Sequence, residues 1–269
     1  MRSRHQRFRT AALTALLLGI SALTFVAAPS KTAQAAPNCK DVFFAGARGS
    51  GEKANAWEGF GETVGRMLIK FRSKVPKYVS VKADPVFYEA VDIITWENAL
   101  RLGGVYRDSV DDGTTYLHDT LKIYSERCPR TVYVLAGYSQ GAQVVTNVLE
   151  ELHFHDPQEI ADKIVSVALF ASPEFAPKDK KRILAYPTSG DDAFAMDRQG
   201  VYRDIVERSE VDTASYLWPY GNVVNSFCVK NDPVCQWKNL LHLGRHIERH
   251  FVYADEYSGL AGRWAAREN

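Results

Sequence analysis

The sequence lacks the features that mark several large classes of protein. It has no basic stripe of the kind that binds nucleic acid, no internal repeat and no low-complexity linker. It has no H-E-x-x-H motif, and its cysteines do not have the spacing of zinc ligands. These absences argue against a nucleic-acid-binding protein, a repeat protein, a chain of several domains and a zinc enzyme.

Cysteine is scarce, with only four residues in the chain. They are Cys39, Cys128, Cys228 and Cys235. An even number of cysteines in an oxidising compartment predicts two disulfides, and four cysteines allow three pairings. Closeness in the sequence favours only the pairing of Cys228 with Cys235.

The first 35 residues have the pattern of a cleaved signal peptide. Four arginines precede an almost wholly apolar stretch from Ala11 to Ala28, and Ala33-Gln34-Ala35 supplies the small residues that signal peptidase recognises. An uncleaved membrane anchor is the alternative, but polar residues interrupt the apolar stretch. We expect cleavage after Ala35 and a secreted protein of residues 36–269. Because the leader holds five of the 33 basic residues and none of the 32 acidic ones, the mature net charge is near −4.

Apolar runs alternate with segments of helical periodicity through the rest of the chain. The predicted strands lie at Asp41–Phe44, within Val79–Tyr88, and at Thr131–Leu135, Ile164–Phe170 and Ser226–Lys230, and the predicted helices at Gly59–Phe71, Val110–Arg127 and Ala142–His153. Uninterrupted β-branched strands that alternate with helices are typical of a parallel sheet covered on both faces. The pattern predicts an α/β protein, a three-layer α/β/α sandwich with a central, mainly parallel sheet.

Two segments are difficult to assign. The stretch from Asp92 to Tyr106 carries both helix and loop signals, and the stretch from Lys178 to Asn225 is long, charged and contains an aromatic group at residues 216–220. A loop of that length inside a compact domain is usually a lid, a binding loop or a small subdomain. We therefore expect one catalytic domain over residues 36–269, with a long insertion around residues 178–225.

The stretch from Val132 to Val145 combines a strand, a tight turn and the start of a helix. Its turn, Gly137-Tyr138-Ser139-Gln140-Gly141, is a G-x-S-x-G motif with two free positions. In this context the serine occupies a strained turn that exposes its hydroxyl at the carboxyl end of the strand, and the glycines let strand and helix approach. Ser139 is therefore the candidate nucleophile.

A nucleophilic serine needs a base that takes its proton and an acid that orients the base. In α/β-hydrolases the acid and then the histidine follow the serine along the chain. Asp232 follows the last apolar run and lies between Cys228 and Cys235, where a disulfide would hold its carboxylate in place. An ordinary turn at residues 231–233 is the alternative.

Three histidines near the C-terminus are candidates for the base. His242, His246 and His250 are spaced four residues apart. On a helix they would share one face, an arrangement that also occurs in metal sites. No acidic residue or cysteine stands at matching spacing, so we expect no metal. This spacing leaves the choice among the three histidines open.

Several separate motifs resemble those of the cutinase family of secreted serine esterases. The stretch from Ala47 to Glu52 is similar to its A-R-G-S/T-x-E loop. The stretch from Gly137 to Gly141 matches its G-Y-S-Q-G elbow, preceded at the expected distance by Cys128-Pro129. The stretch from Cys228 to Cys235 resembles its acid loop, and residues His250 to Tyr253 have its H-x-x-Y pattern.

The resemblance, which extends from Cys39 to Asp255, implies a role for particular residues. It implies Ser139 as nucleophile, Asp232 as acid and His250 as base. It also implies an oxyanion hole made by the backbone amides of Ser50 and Gln140, and disulfides Cys39–Cys128 and Cys228–Cys235.

Two departures from the compact cutinase pattern keep alternatives open. The gap between Asp232 and His250 is longer than in that pattern, which retains His246 and His242 as candidate bases. The segments around 92–107 and 178–225 are also longer than in that pattern, so the resemblance does not imply an open site without a lid.

Together these features predict a secreted carboxylic-ester hydrolase that works through an acyl-enzyme on Ser139, without metal or cofactor. The expected substrates are esters of apolar acyl chains, with transient contact to a lipid or cell-envelope surface, and the expected state is a monomer. One alternative is an acetyl esterase that acts on polysaccharide. The other is a catalytically inactive envelope-binding protein on the same scaffold.

Overall fold

The strands of the protein form one parallel sheet. The computed structural model describes residues 39–92, 104–155, 158–175, 201, 220, 223–236, 238 and 244–267, and the backbone of 184–186. Six strands lie in these residues: β1 (Val42–Ala47), β2 (Val81–Pro85), β3 (Val132–Tyr138), β4 (Ile164–Phe170), β5 (Leu184–Tyr186) and β6 (Val224–Phe227). Their order across the sheet is β2-β1-β3-β4-β6-β5, and each neighbouring pair is parallel.

The central strands are buried on both faces, which explains their composition. In β3, Tyr133, Val134 and Leu135 have no exposed surface, although successive side chains point to opposite sides of the sheet. In β4, Val167 and Ala168 are equally buried. A strand covered on both faces has no face in contact with water, so its sequence is a continuous apolar run.

Helices cover both faces of the sheet. They are α1 (Gly61–Arg72), α2 (Val105–Arg127), α3 (Gln140–Phe154), α4 (Gln158–Ala161), α5 (Tyr253–Glu256) and α6 (Ser258–Ala265), with 3-10 segments at Ala56–Gly59 and Ile247–Phe251. On one face Leu117 of α2 and Val148 of α3 pack in the same cluster as Leu135. On the other face Phe71 of α1 and Ala265 of α6 pack with Val134. The three-layer α/β/α architecture predicted from the sequence is confirmed.

Several element boundaries differ from the predicted ones. Helix α2 begins at Val105 rather than at Val110, because three residues of its first turn, Val105, Arg107 and Asp108, are exposed and leave too few buried positions to show helical periodicity. Strand β6 ends at Phe227 rather than at Lys230, because the chain leaves the sheet at Cys228 to form a disulfide loop. Strand β5 and helix α6 were not predicted.

Both disulfides implied by the family resemblance are present. Cys39, just before β1, is bonded to Cys128 at the end of α2 with an S–S distance of 2.03 Å. Cys228, just after β6, is bonded to Cys235 with an S–S distance of 2.05 Å. The first bond ties the start of the fold to the end of α2, and the second closes a short loop.

Some predicted segments lie outside the described residues. They are the signal peptide at residues 1–35, residues 93–103 of the stretch that was difficult to assign, His242, and most of the insertion at 178–225. The division into a leader and one catalytic domain therefore stays a prediction, as does a lid. Within the described part of the chain, no helix is both long and apolar enough to cross a membrane.

The parallel arrangement brings the candidate residues to one edge of the sheet. The carboxyl ends of parallel strands lie at the same edge, where ligands of such folds gather. The loop after β1 carries Ser50, the turn after β3 carries Ser139, and the loop after β6 carries Asp232.

Candidate active site

Ser139 lies in a strained turn between β3 and α3. Its backbone angles are φ 54° and ψ −118°, a conformation that costs a non-glycine residue about 1–3 kcal/mol. The Ser139 amide donates a hydrogen bond to the carbonyl of Phe170 at 2.8 Å, and the Ala142 amide donates to the carbonyl of Ser139 at 2.9 Å. These bonds to a neighbouring strand and to the following helix hold the turn and fix the direction of the serine side chain.

Gly137 and Gly141 stand where any side chain would collide with the backbone. A Cβ atom on Gly137 would lie 2.2 Å from the carbonyl oxygen of Gly141. A Cβ atom on Gly141 would lie 2.2 Å from the carbonyl oxygen of Ala47, at the end of β1. The glycines of the motif therefore allow β3, α3 and the loop after β1 to meet at the serine.

Among the described residues, His250 is the histidine that lies beside Ser139. Its Nε2 lies 2.9 Å from Ser139 Oγ, and its Nδ1 lies 3.1 Å from each carboxylate oxygen of Asp232. With the proton on Nδ1, the imidazole donates to the carboxylate and Nε2 accepts from the serine hydroxyl. The exposed fractions are 4% for Ser139, 5% for His250 and 0% for Asp232, so bulk water does not compete for these bonds.

The candidate base His246 lies in a different local structure from His250. His246 has non-helical backbone angles of φ −130° and ψ 15°, and the 3-10 segment with His250 begins after it. The spacing of four residues therefore does not put His246 and His250 on one helix face. The side chain of His246 is 36% exposed, with its Nδ1 at 4.0 Å from Glu248 Oε1. His242 lies outside the described residues.

Asp232 is held inside the second disulfide loop by several donors. The Val234 amide donates to Oδ1 at 2.7 Å, and the Tyr253 hydroxyl donates to Oδ2 at 2.5 Å. Burial alone would raise the pKa of this carboxyl. The charge and hydrogen bond of His250, with the bonds from Tyr253 and Val234, outweigh burial and lower the pKa below its ordinary value of 3.8. The carboxylate is therefore ionised at neutral pH and can stabilise an imidazolium.

The two predicted oxyanion-hole amides lie on adjoining segments. Gln140 is the first residue of α3, where backbone amides have no acceptor within the helix. Ser50 lies in the loop after β1, whose backbone approaches the elbow at Gly141. The Ser50 hydroxyl donates to the carbonyl of Val91. The fold thus brings both segments to Ser139, and the role of the two amides stays a prediction.

Glu52 ties the loop after β1 to the start of α1. Its carboxylate accepts the amide of Gly49 at 2.6 Å and the amide of Glu62 at 2.7 Å. Burial raises the pKa of Glu52 above its ordinary value of 4.5, although these two bonds act in the opposite direction. The sequence marked this residue only as part of a family motif, without a role.

The ring of Tyr138 lies between the base and the loop after β1. It stacks on the imidazole of His250 with ring centroids 5.2 Å apart, and its hydroxyl donates to the His250 carbonyl at 2.6 Å. On the side of the loop, a Cβ atom on Gly49 would lie 2.5 Å from the ring. Sequence reasoning missed this residue because it occupies a free position of the G-x-S-x-G motif.

The side chains that meet here are those of nucleophilic acyl transfer. A serine, an imidazole and an ionised carboxylate in this order can generate a nucleophile by proton transfer alone. Within the residues that the structure describes, no group of three or more histidine, cysteine, aspartate or glutamate side chains could hold a metal ion.

Comparisons with known sequences point to one family. A family model described as Cutinase matches residues 38–268. Cutinase CUT1 of Pyricularia oryzae is 25% identical over 231 residues, which cover 86% of this chain and 77% of that protein. Cutinase pbc1 of Pyrenopeziza brassicae is 24% identical over 151 residues, which cover 53% of this chain and 61% of that protein.

A comparison with solved structures gives the same fold. The catalytic core domain of acetyl xylan esterase from Trichoderma reesei has a TM-score of 0.60 and 19% sequence identity. The similarity covers 86% of this chain and 100% of that one. At this level of identity the likeness establishes the α/β-hydrolase fold and does not extend to the substrate.

Proposed function

The chain belongs to the cutinase family, and from this membership we propose that it is a secreted serine esterase of apolar acyl esters. The family match over residues 38–268 includes Ser139, Asp232 and His250, as well as Ser50 and Gln140. The family and the α/β-hydrolase fold, both predicted from the sequence, are thereby confirmed. The roles of individual residues are our proposal.

The reaction begins with acylation of Ser139. Its Oγ attacks the carbonyl carbon of the ester while Nε2 of His250 takes the hydroxyl proton. The bond to the alcohol oxygen then breaks, the imidazolium returns the proton to the leaving alcohol, and the acyl group stays on Ser139. Water, deprotonated by the same imidazole, next attacks the acyl-enzyme, so that the acid leaves and the serine is restored.

The surrounding groups stabilise the charges that develop during these steps. Asp232 stays ionised and stabilises the imidazolium. The amides of Ser50 and Gln140 donate to the negative carbonyl oxygen of the tetrahedral intermediate, where fixed donors are most effective. These steps use side chains and backbone amides alone and need no metal or cofactor.

One observation carries the proposal. Ser139, His250 and Asp232 form an unbroken chain of contacts, buried from bulk water, in the residues that match the family. Secretion is supported by the basic and apolar leader and by two disulfides, which persist in oxidising compartments. Transient contact with a lipid or envelope surface, and a monomeric state, complete the proposal.

Turnover of a chromogenic ester together with active-site labelling tests the activity. The purified protein should hydrolyse p-nitrophenyl butyrate, and a fluorophosphonate probe should label one peptide at Ser139. Ser139→Ala is the matched control and should neither turn over the ester nor take the label. A wild-type protein that shows neither turnover nor label would instead support the inactive envelope-binding alternative.

The choice of base has its own test. His250→Ala should abolish hydrolysis, while His246→Ala should retain it, because only His250 lies beside Ser139 in the described residues. The reverse result would assign the base to His246.

An acyl-length series tests the substrate class. Nitrophenyl esters from acetate to long chains, with acetylated xylan as a separate substrate, distinguish an esterase of apolar acyl groups from an acetyl esterase. We expect kcat/KM to rise beyond acetate. A maximum at acetate with release of acetate from xylan would favour the acetyl esterase.

A further inference from the structure

The tyrosine of the H-x-x-Y motif has no role in the reaction proposed above. Tyr253 is the first residue of α5, and its side chain is completely buried. Its ring lies against those of Tyr138, Phe170 and Tyr257. A buried hydroxyl is costly unless it is hydrogen-bonded, so the partners of this phenol decide what it does.

Three groups surround the phenol oxygen of Tyr253. It donates to Oδ2 of Asp232 at 2.5 Å and accepts the amide of Val229 at 3.1 Å. Sγ of Cys235 lies 3.4 Å away, but a disulfide sulfur has no proton to give and is a weak acceptor. The proton of the phenol is therefore directed at the carboxylate.

Tyr253 acts as a neutral donor. Burial raises the pKa of Tyr253 well above 10.0, and so does the negative charge of Asp232. The hydrogen bond that the Tyr253 hydroxyl donates to Asp232 acts in the same direction. The phenol therefore keeps its proton across the range in which an ester hydrolase works. Among the described residues, the titratable groups that face it are Asp232, His250, Tyr138 and Tyr257.

The carboxylate of Asp232 is fixed at both oxygens. The amide of Val234 holds Oδ1, and the hydroxyl of Tyr253 holds Oδ2. Nδ1 of His250 lies at the same distance, 3.1 Å, from the two oxygens. A carboxylate held in this way cannot rotate about its Cβ–Cγ bond without losing a donor, so the donors also fix the plane that faces the imidazole.

We propose that Tyr253 is a positioning residue of the ester hydrolysis, which acts through Asp232. Its hydroxyl orients the carboxylate toward His250 and sets how much negative charge faces the imidazolium. The inference rests on the proposed function, because it adds a fourth side chain to the same triad.

Tyr253→Phe is the direct test, because it keeps the ring and removes only the hydroxyl. We expect kcat for p-nitrophenyl butyrate to fall about tenfold with KM changed less than about twofold, the size of effect that a bond to a charged group can have. The acid limb of the pH profile of kcat/KM should move to higher pH. A carboxylate with one donor fewer holds the imidazolium proton more tightly, so the base is freed later.

A fluorinated tyrosine gives a second, milder test. Site-specific replacement of Tyr253 by 3-fluorotyrosine keeps the hydroxyl and makes it a stronger donor, so the acid limb should move to lower pH. This measurement decides the question if Tyr253→Phe does not fold. No shift with the fluorinated residue would overturn the inference.

Tyr133→Phe is the matched control. It also removes the hydroxyl of a completely buried tyrosine, but at the amino end of β3, about 20 Å from Ser139 along the strand. We expect its kcat, KM and pH profile to equal those of the wild type. If Tyr253→Phe behaves like this control, or changes only the melting temperature, the inference is wrong. If the wild-type protein itself shows no turnover, it is the proposed function that has failed.

Discussion

The two sides of Ser139 are held in place by different means. On the acid side, defined as Cys228–Cys235, a disulfide joins residues seven positions apart and encloses Asp232. On the proposed oxyanion side, defined as Arg48–Glu52, the loop is held by hydrogen bonds and packing, without a disulfide. The Glu52 carboxylate accepts two backbone amides there, and Arg48 donates to the carbonyl groups of Glu52 and Tyr88.

This difference predicts different sensitivities. A covalent bond resists changes of pH but is open to reduction, whereas a loop held through a carboxyl group responds to protonation. The two sides should therefore fail under different conditions, although both serve the same serine. The changes below test this contrast, beginning with the largest expected effect.

Removal of the acid sets the upper limit for the acid side. Asp232→Asn should lower kcat about 10⁴-fold, because the amide favours the wrong tautomer of the imidazole and cannot stabilise its charge. Steady-state kinetics with p-nitrophenyl butyrate measure this loss, and circular dichroism checks that the variant is folded. A loss below about tenfold would mean that another residue serves as the acid.

Removal of each disulfide in turn separates activity from stability. Replacing both Cys228 and Cys235 by serine should lower kcat about a hundredfold, because small displacements of a catalytic group such as Asp232 have effects of this size. The free energy of unfolding should fall by only about 2.5 kcal/mol, because the closed loop is short. Replacing both Cys39 and Cys128 by serine should cost about 4.5 kcal/mol and leave kcat nearly unchanged at temperatures where the variant is folded.

Denaturant unfolding and kinetics on the two double variants give the four values. If the Cys228 and Cys235 variant keeps wild-type kcat, packing alone positions the acid, and the contrast between the two sides disappears.

A substitution of Glu52 tests the oxyanion side. Glu52→Gln should lower kcat about tenfold with little change in KM, less than the loss of a whole oxyanion donor. The two oxygens of Glu52 each accept a backbone amide, whereas the glutamine side chain has only one acceptor oxygen. The NH2 group of glutamine would therefore face the second backbone N–H, which is also a donor. Glu62→Gln is the matched control, because the side chain of Glu62 is half exposed and pairs only with Arg66 among the described residues. Equal kcat values for the two variants would remove Glu52 from the support of the site.

The pH dependence of stability should have opposite signs for the two carboxyl groups. The pKa of Glu52 is raised in the folded protein. Its contribution to the free energy of unfolding is therefore present below pH 4.5 and is lost as the pH rises through the folded-state pKa. The pKa of Asp232 is lowered in the folded protein. Its contribution to the free energy of unfolding is therefore present above pH 3.8 and is lost as the pH falls through the folded-state pKa.

Unfolding of the two variants across pH measures these signs. Relative to the wild type, Glu52→Gln should gain stability as the pH rises from about 4.5 toward neutrality. Asp232→Asn should lose stability relative to the wild type as the pH rises toward about 3.8. The same sign for both variants would contradict the assigned shifts.

The fold was predictable where burial dictates composition. Strands β1, β3 and β4 are covered on both faces, so they appear in the sequence as apolar runs. Strand β5 has only three residues and helix α6 only eight, and neither is long enough to show a clear period. The start of α2 was missed because three of its first four residues are exposed, so only Tyr106 of that turn contributes to an apolar pattern.

The site was predictable where its determinants are local. The strained turn of Ser139 and the disulfide loop of Asp232 each leave a mark within a few residues. The choice of His250 came from a family motif, because the spacing of the three histidines carries no information on which one reaches the serine. Tyr138 could not be assigned at all, since the carbonyl that its hydroxyl binds lies 112 residues further along the chain.

The separation of Ser139 from His250 also has a consequence for the time course of protein synthesis. The two residues are 111 positions apart, and a ribosome needs on the order of ten seconds to add that many residues. During this interval the growing chain contains the proposed nucleophile without the imidazole that would activate it. Chains released early, at any point before residue 250, would be unable to cleave esters inside the cell that makes them.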